Sequence, residues 1–198
     1  MRTLLVACAC IGLSAAQSSP APQAPPAAAD PTPVEIHVAY AVKTQYEAVR
    51  RLMTALADKM PAEHYAFQPT PEVKTFAASL AHIVSSNVNQ CGVLVGRKHE
   101  LAGQDLSKTM TTKEPLVQAV RQTFAFCDEY FNTLTDNGAL TGKAYDSFTM
   151  RDGQRVPAKV QAGAAATSFL SHNNEMYGYM AVYLRLKGIV PPSSEPRK

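Results

Sequence analysis

The sequence feature that most constrains the fold is a long helical segment near the C-terminus, residues 168–192, SFLSHNNEMYGYMAVYLRLKGIVPP, which ends abruptly. Gly188 is a signal for the C-terminal cap of a helix, and the prolines at 191 and 192 prevent the helix from continuing. Its second half carries apolar residues at helical spacing: Tyr179, Val182, Tyr183 and Leu186. The segment therefore predicts one long helix that packs its apolar side on other helices.

Three further segments show apolar residues at steps of three and four, which predicts amphipathic helices. Thr75 is a candidate N-cap of the second helix, and Pro115 fits the first turn of the third. We expect Leu80 and Leu184 in the core. The predicted helices cover residues 38–60, 75–95, 113–134 and 158–187. The fold class predicted from this pattern, which contains no internal repeat and no run of strands, is an all-α, up-and-down four-helix bundle.

The connections between the predicted helices contain two turn signals. Asp136-Asn137-Gly138 predicts a turn after the third helix. Residues 140–157 form a longer connection that contains Asp152-Gly153 and is either a small hairpin or an irregular lid. In the connection after the first helix, Tyr65 and Phe67 are expected to fold back over one end of the core.

Charge and composition exclude one class of partner. The chain has 19 Lys and Arg against 16 Asp and Glu, a formal net charge of +3, and it contains no basic stripe. A nucleic-acid-binding surface is therefore not expected. At 46% hydrophobic residues, the chain has enough apolar side chains for one domain with a substantial core.

The N-terminus predicts export. Residues 1–16 combine Arg2, a short apolar run and the small residues Ser14-Ala15-Ala16, as a secretory signal peptide does. Residues 17–36 are rich in Pro and Ala and predict a disordered linker, followed by the bundle at 37–190 and a tail at 191–198. No later segment predicts a transmembrane anchor once the leader is removed, so we expect a periplasmic or extracellular protein. Residues 5–8 resemble a lipoprotein processing box, but the apolar run before Cys8 is very short, which disfavours lipidation.

Two cysteines remain after the predicted leader, Cys91 on the second helix and Cys127 on the third. In an oxidising compartment they can form one disulfide between the helices. Alternatively, they are two buried free thiols that behave as small hydrophobic residues. The sequence does not give the Cα separation that decides between these alternatives.

Of five histidines, only His82 and His172 lie on predicted helix bodies, and both flank polar runs, SSNVNQ and NNE. Inward histidines on different helices are one way in which bundles build metal sites. The alternative is a core histidine that bonds a neighbouring carbonyl. His37, His64 and His99 lie at the domain start or in connections, where we expect them on the surface.

Three stretches carry a resemblance to a known family: FQPTPEVKTFAASLAH, which ends at His82, the HNNEMYGYMAV stretch at residues 172–182, and YLRLKGIVPPSS. Over residues 38–195 the sequence resembles the DinB/YfiT-like superfamily of metalloenzymes. The resemblance implies a divalent metal, zinc or nickel, held by three histidines, one on the second helix and two that lie four residues apart on the last. The first two positions are His82 and His172 here.

The third position departs from the family pattern, because it is Met176. A neutral thioether is a poor ligand for zinc or nickel, and Glu175 points about 100° away from Met176 around the helix. The sequence therefore predicts a degenerate metal site of low occupancy, made of His82, His172 and Met176.

Three functions are compatible with this sequence. The first is an exported binding or structural module that recognises an unknown small molecule and forms a homodimer. The second is a divalent-metal-dependent hydrolase or transferase that uses His82 and His172 to hold a metal-bound water. The third is an electron-transfer site with His and Met ligands to haem or copper, which no C-x-x-C-H motif supports. Whether the protein is an enzyme stays open at this point.

Overall fold

A computed structural model describes residues 35–141 and 144–196. The predicted signal peptide and most of the predicted linker lie outside these residues. The elements are α1 (Val38–Lys59), α2 (Phe76–Val95), α3 (Leu106–Thr109), α4 (Lys113–Phe131), α5 (Asp136–Thr141), β1 (Ala144–Arg151), β2 (Gln154–Gln161) and α6 (Ala162–Leu186). Two short 3₁₀ turns, at Ala62–His64 and Pro192–Ser194, complete the described chain. No helix in this part of the chain is both long and apolar enough to cross a membrane.

Four long helices, α1, α2, α4 and α6, form the bundle, as the sequence predicts. At opposite ends of α1, Tyr46 contacts Asp128 near the end of α4, and Asp58 pairs with Arg121 in its first half. These two helices are therefore antiparallel. Burial and the hydrogen bond to Asp128 raise the pKa of Tyr46 well above its usual range, so its hydroxyl stays protonated and can donate.

The directions of the helices follow an up, down, down, up order. Cys91 and Cys127 are joined, and each lies four residues before the end of its helix, so α2 and α4 run in the same direction. The four-helix bundle is confirmed, but its helix directions do not alternate as the predicted up-and-down order implies. The observed order arises because residues 96–112, which include α3, return along the bundle before α4 begins.

The core lies between the four helices and is mostly aliphatic and aromatic. Leu80 and Leu184 are fully buried, as predicted. Tyr46 stacks on Phe131 with ring centroids 3.9 Å apart. Tyr65 donates a hydrogen bond to the Ala57 carbonyl, which confirms that the connection after α1 folds back over the core.

Two helix ends form as the sequence predicts. At the start of α2, Thr75 Oγ1 accepts a hydrogen bond from the Ala78 amide at 3.1 Å. At the end of α6, Gly188 has a φ of +72°, and its amide donates to the Arg185 carbonyl, while the Ile189 amide donates to the Leu184 carbonyl. This pair of bonds is a Schellman motif, which accounts for the abrupt end of the helix.

The last helix begins later than the sequence predicts. Residues 158–161 belong to β2 and pair with β1 in an antiparallel hairpin. Asp152 and Gly153 form its two-residue turn with positive φ at both positions, between the paired residues Arg151 and Gln154. The hairpin alternative for the connection is therefore correct, and the predicted helix start at 158 is wrong because strand pairing continues to Gln161.

Two further predictions of local structure are wrong. The predicted turn at 136–138 is the first turn of α5, because Thr135 Oγ1 accepts the Gly138 amide as an N-cap does. On α6, Tyr179, Val182 and Leu186 are more than half exposed. Of the predicted set, Tyr183 is buried as expected, and Met180 and Leu184 are buried beside it, because this half of α6 is apolar on several sides and its periodicity does not single out one face.

A disulfide joins Cys91 to Cys127 across α2 and α4, with a Cα–Cα distance of 5.2 Å. The bridge decides between the two alternatives that the sequence leaves open. It encloses a segment that includes the whole α2–α4 connection, so it restricts the unfolded chain over that length.

We expect reduction of this bridge to lower the free energy of unfolding by about 2–4 kcal/mol, because the unfolded chain gains entropy. Denaturant melts of residues 17–198 with and without dithiothreitol measure the change. A Cys91→Ala/Cys127→Ala variant is the control and should not respond to reductant. Two reactive thiols in the denatured, unreduced protein would contradict the bridge.

Leu184→Ala should cost about 2–5 kcal/mol, because it leaves a cavity in the core. Leu186→Ala is the matched control two residues away, and because Leu186 is 57% exposed, its change should stay within about 0.5 kcal/mol. Urea melts compare the two variants. Equal losses would show that the buried face of α6 is assigned wrongly.

Candidate functional site

The structure brings His82 on α2 and His172 on α6 together at the seam between the two helices. Their ring centroids are 5.2 Å apart and the ring planes are nearly perpendicular, at 84°. The helices supply this proximity because α2 and α6 are antiparallel neighbours, with Tyr183 donating to the Lys74 carbonyl at one end of the contact. Two rigid elements therefore position the pair, which favours a reproducible geometry.

The two imidazoles have different environments. His82 is exposed on the surface of α2, whereas His172 is half-buried and its Nε2 atom is buried with no hydrogen-bond partner among the described residues. Desolvation, His172 and Lys74 together lower the pKa of His82, which favours its neutral form. Neutral imidazole is the form that binds metals.

Met176 lies one helical turn after His172 and is half-buried, where it packs against the core. Glu175 is exposed. Among the described residues, no group of three His, Cys, Asp or Glu side chains is placed to hold a metal ion. The arrangement thus offers two nitrogen donors and one thioether at adjacent turns of two helices.

Two fully buried amides lie beside the histidine pair. Asn173 Nδ2 donates to Asn87 Oδ1 at 2.9 Å and to the Phe169 carbonyl at 3.0 Å. Asn87 Nδ2 and Asn173 Oδ1 have no hydrogen-bond partner in the part of the chain that the structure describes. A polar contact therefore runs through the apolar interior directly next to His172.

An open groove of about 340 Å³ lies along the outer side of α2 at His82. Its polar lining comes from the residue before the N-cap of α2, from α2 itself and from the connection that follows it: Lys74, His82, Ser85, Gln104, Asp105 and Ser107. Asp105 is already engaged, since it accepts from Ser107 Oγ and pairs with Lys108, both at 2.7 Å. These contacts lower the pKa of Asp105, first through Lys108 and then through Ser107.

The comparisons with known proteins concern the same part of the chain. The family model described as the DinB superfamily matches residues 45–174, more than half of the sequence. The chain belongs to the DinB superfamily. The matched range includes His82 and His172 and ends before Met176.

A solved structure has the same DinB-like fold. It is the crystal structure of a DinB-like protein from Bacillus cereus, to which this chain is 18% identical. The match covers 76% of this chain and 93% of the other, with a TM-score of 0.55. At this identity, the likeness supports the fold alone. A comparison with curated proteins finds no match.

His37 and His99 of this DinB-superfamily chain make contacts outside the pair. His37 is largely exposed and pairs with Glu35 at the domain start. His99 packs on Phe126 with ring centroids 5.0 Å apart, and its Nδ1 accepts the Leu101 amide. These contacts give His99 a structural role in the connection after α2, beyond the surface position that the sequence predicts.

Sequence reasoning finds part of the site and misses the rest. The polar run SSNVNQ draws attention to Asn87, which the helical stripe places inward, and the structure buries it. Lys74 and Gln104 carry no signal in the sequence. They line the groove only because the residues after α2 fold back beside its first turns.

Asn173→Ala should destabilise the protein by about 1–3 kcal/mol, because it leaves the buried Asn87 carbonyl oxygen without its donor. Asn174→Ala is the matched control, since Asn174 is the next residue and is exposed. Thermal or urea melts measure both variants. A loss in the control as large as that in Asn173→Ala would argue against the buried amide contact.

Proposed function

We propose that this DinB-superfamily protein is an exported binding module whose α2–α6 seam carries a weak divalent-metal site. His82 and His172 are its nitrogen ligands, and Met176 occupies the third family position. The observation that carries the proposal is the approach of the two imidazoles, at 5.2 Å between ring centroids. Two histidines of one site that share a metal are expected at about this separation, since each Zn–N bond is about 2.0–2.1 Å long.

The donor set supports low occupancy. A zinc or nickel ion bound here would receive two good nitrogen ligands, whereas protein zinc sites normally have three or four N, O or S⁻ ligands. The thioether of Met176 adds little for these metals. A bound ion would supply positive charge and Lewis acidity beside the groove that His82 lines. The chain's own contribution is to hold two imidazoles in place, with the buried Nε2 of His172 available for a ligand.

Export is supported by the covalent bond between α2 and α4. Structural disulfides persist in oxidising compartments and are rare in the cytosol. Together with the signal-like residues 1–16, the Cys91–Cys127 bridge favours a periplasmic or extracellular location.

A metal-dependent hydrolase or transferase is the second candidate function. The observation that favours it is that His82 is exposed and lines an open groove, so a substrate would reach a metal held there. In this alternative the two histidines hold the metal, and the groove residues orient the substrate.

The metal-binding prediction is that residues 17–198, purified without chelator or affinity metal, contain well under one divalent metal per chain. Met176→His should raise Zn²⁺ affinity about tenfold or more, because it adds a third nitrogen donor. His172→Ala should abolish binding. Elemental analysis and isothermal titration calorimetry measure occupancy and affinity.

His37→Ala is the control for loss of a histidine, since His37 lies at the domain start and should leave the affinity unchanged. Full occupancy in the unaltered protein would show that Met176 does not weaken the site. Unchanged binding in His172→Ala would rule out the proposed ligands.

A further inference from the structure

We propose that the groove beside His82 binds a small molecule that carries an oxyanion, a carboxylate or a phosphate group, and that Lys74 is the residue that recognises it. The inference rests on the proposed binding function of the α2–α6 seam, and it names the class of ligand. It does not require a bound metal, because the recognising groups belong to the groove itself.

The first step is that Lys74 carries a charge without a partner. Its side chain is exposed at the groove, and it forms no ion pair among the described residues. Lys74 and His82 line the same groove. An unpaired cation on the wall of a groove is suited to a negatively charged ligand.

The second step is that the carboxylate on the opposite wall does not neutralise Lys74. Asp105 is held by Lys108 and by the Ser107 hydroxyl. The ion pair of Asp105 and Lys108 therefore adds no net charge to the groove. Lys74 is therefore the charged residue of the groove lining that has no ion-pair partner in the described part of the chain.

The third step is that side chains, not the helix end, supply the other donors. The first amides of α2 are already bonded, with Phe76 donating to the Phe67 carbonyl and Ala77 to the Tyr65 carbonyl. The Ser85 hydroxyl lines the groove and has no partner in the described part of the chain. The ammonium and the hydroxyl that line the groove are both donors suited to the oxygens of a carboxylate or phosphate group.

The size of the groove limits the ligand. About 340 Å³ is at the lower end of the range for small-molecule sites, which excludes a macromolecular partner lying inside it. A short dicarboxylate and inorganic phosphate are therefore suitable probes, and they separate the two sources of an oxyanion.

The test is an NMR titration of ¹⁵N-labelled residues 17–198, freed of metal on a chelating resin and kept at constant ionic strength. Succinate, inorganic phosphate and the neutral succinamide are added in separate titrations. We expect saturable amide shifts at Lys74, His82 and Ser85 with succinate, with phosphate or with both, and none with succinamide. The anion that binds more tightly identifies the source of the oxyanion.

Three variants test the role of Lys74. Lys74→Gln should weaken binding about fivefold, as expected for an exposed charge interaction, and Lys74→Arg should restore it to within about twofold. Lys98→Gln, which removes the same charge near the other end of α2, is the control and should leave the affinity unchanged. Both glutamine variants should retain the melting temperature of the unaltered protein.

Two results would overturn the inference. One is the absence of saturable shifts at the groove with both anions, and the other is equal weakening by Lys74→Gln and Lys98→Gln. Because the titration is carried out without metal, it separates this inference from the proposed metal site. Anion shifts with no zinc binding would refute only the metal site, and zinc binding with no anion shifts would refute only the ligand class.

Discussion

The hydrogen bond between Asn173 and Asn87 is the constraint on which the geometry of the α2–α6 seam depends. Both amides are fully buried, and a buried amide without a partner costs free energy of the order of 1–3 kcal/mol. A slide of α6 by one turn, about 5.4 Å, would break this bond inside the core. The bond from Tyr183 to the Lys74 carbonyl fixes the same register further along the seam. Since His172 precedes Asn173 directly, the register that these bonds set also sets the distance between the two imidazoles.

Helix α2 is held on both of its sides, covalently to α4 through Cys91 and by hydrogen bonds to α6 through Asn87. The disulfide lies one turn beyond Asn87 on the same helix. His82 and Ser85 therefore face the groove from a helix that is tied to two neighbours, and the return connection that holds Asp105 supplies the other wall. A binding surface built on such a helix loses little entropy when a ligand orders it.

The sequence predicts most of the bundle because its signals are local. Periodicity places the four helices, Thr75 and Gly188 mark two of their ends, and the polar run around Asn87 indicates a polar contact in the core. The start of α6 is mispredicted because residues 158–161 take their structure from pairing with β1, which is not local information. The face of α6 is mispredicted around Tyr179 and Val182 because apolar residues surround this half of the helix. The groove at Lys74 depends on how the residues after α2 fold back, and no periodic pattern encodes that path.

The proposals for the metal and for the groove are connected by the chemistry of Met176. A site with three imidazoles binds a divalent ion firmly, and that ion then supplies the positive charge that attracts an anionic ligand. With a thioether at the third position, the proposed ion would be held weakly, and a fixed charge on the chain would have to supply that attraction instead. Lys74 has such a charge, lies at the same groove and acts electrostatically on His82. On this argument, Met176 and Lys74 have complementary effects. Met176 would lower the occupancy of the metal site, and Lys74 would let the groove recognise an oxyanion whether or not His82 and His172 hold a metal.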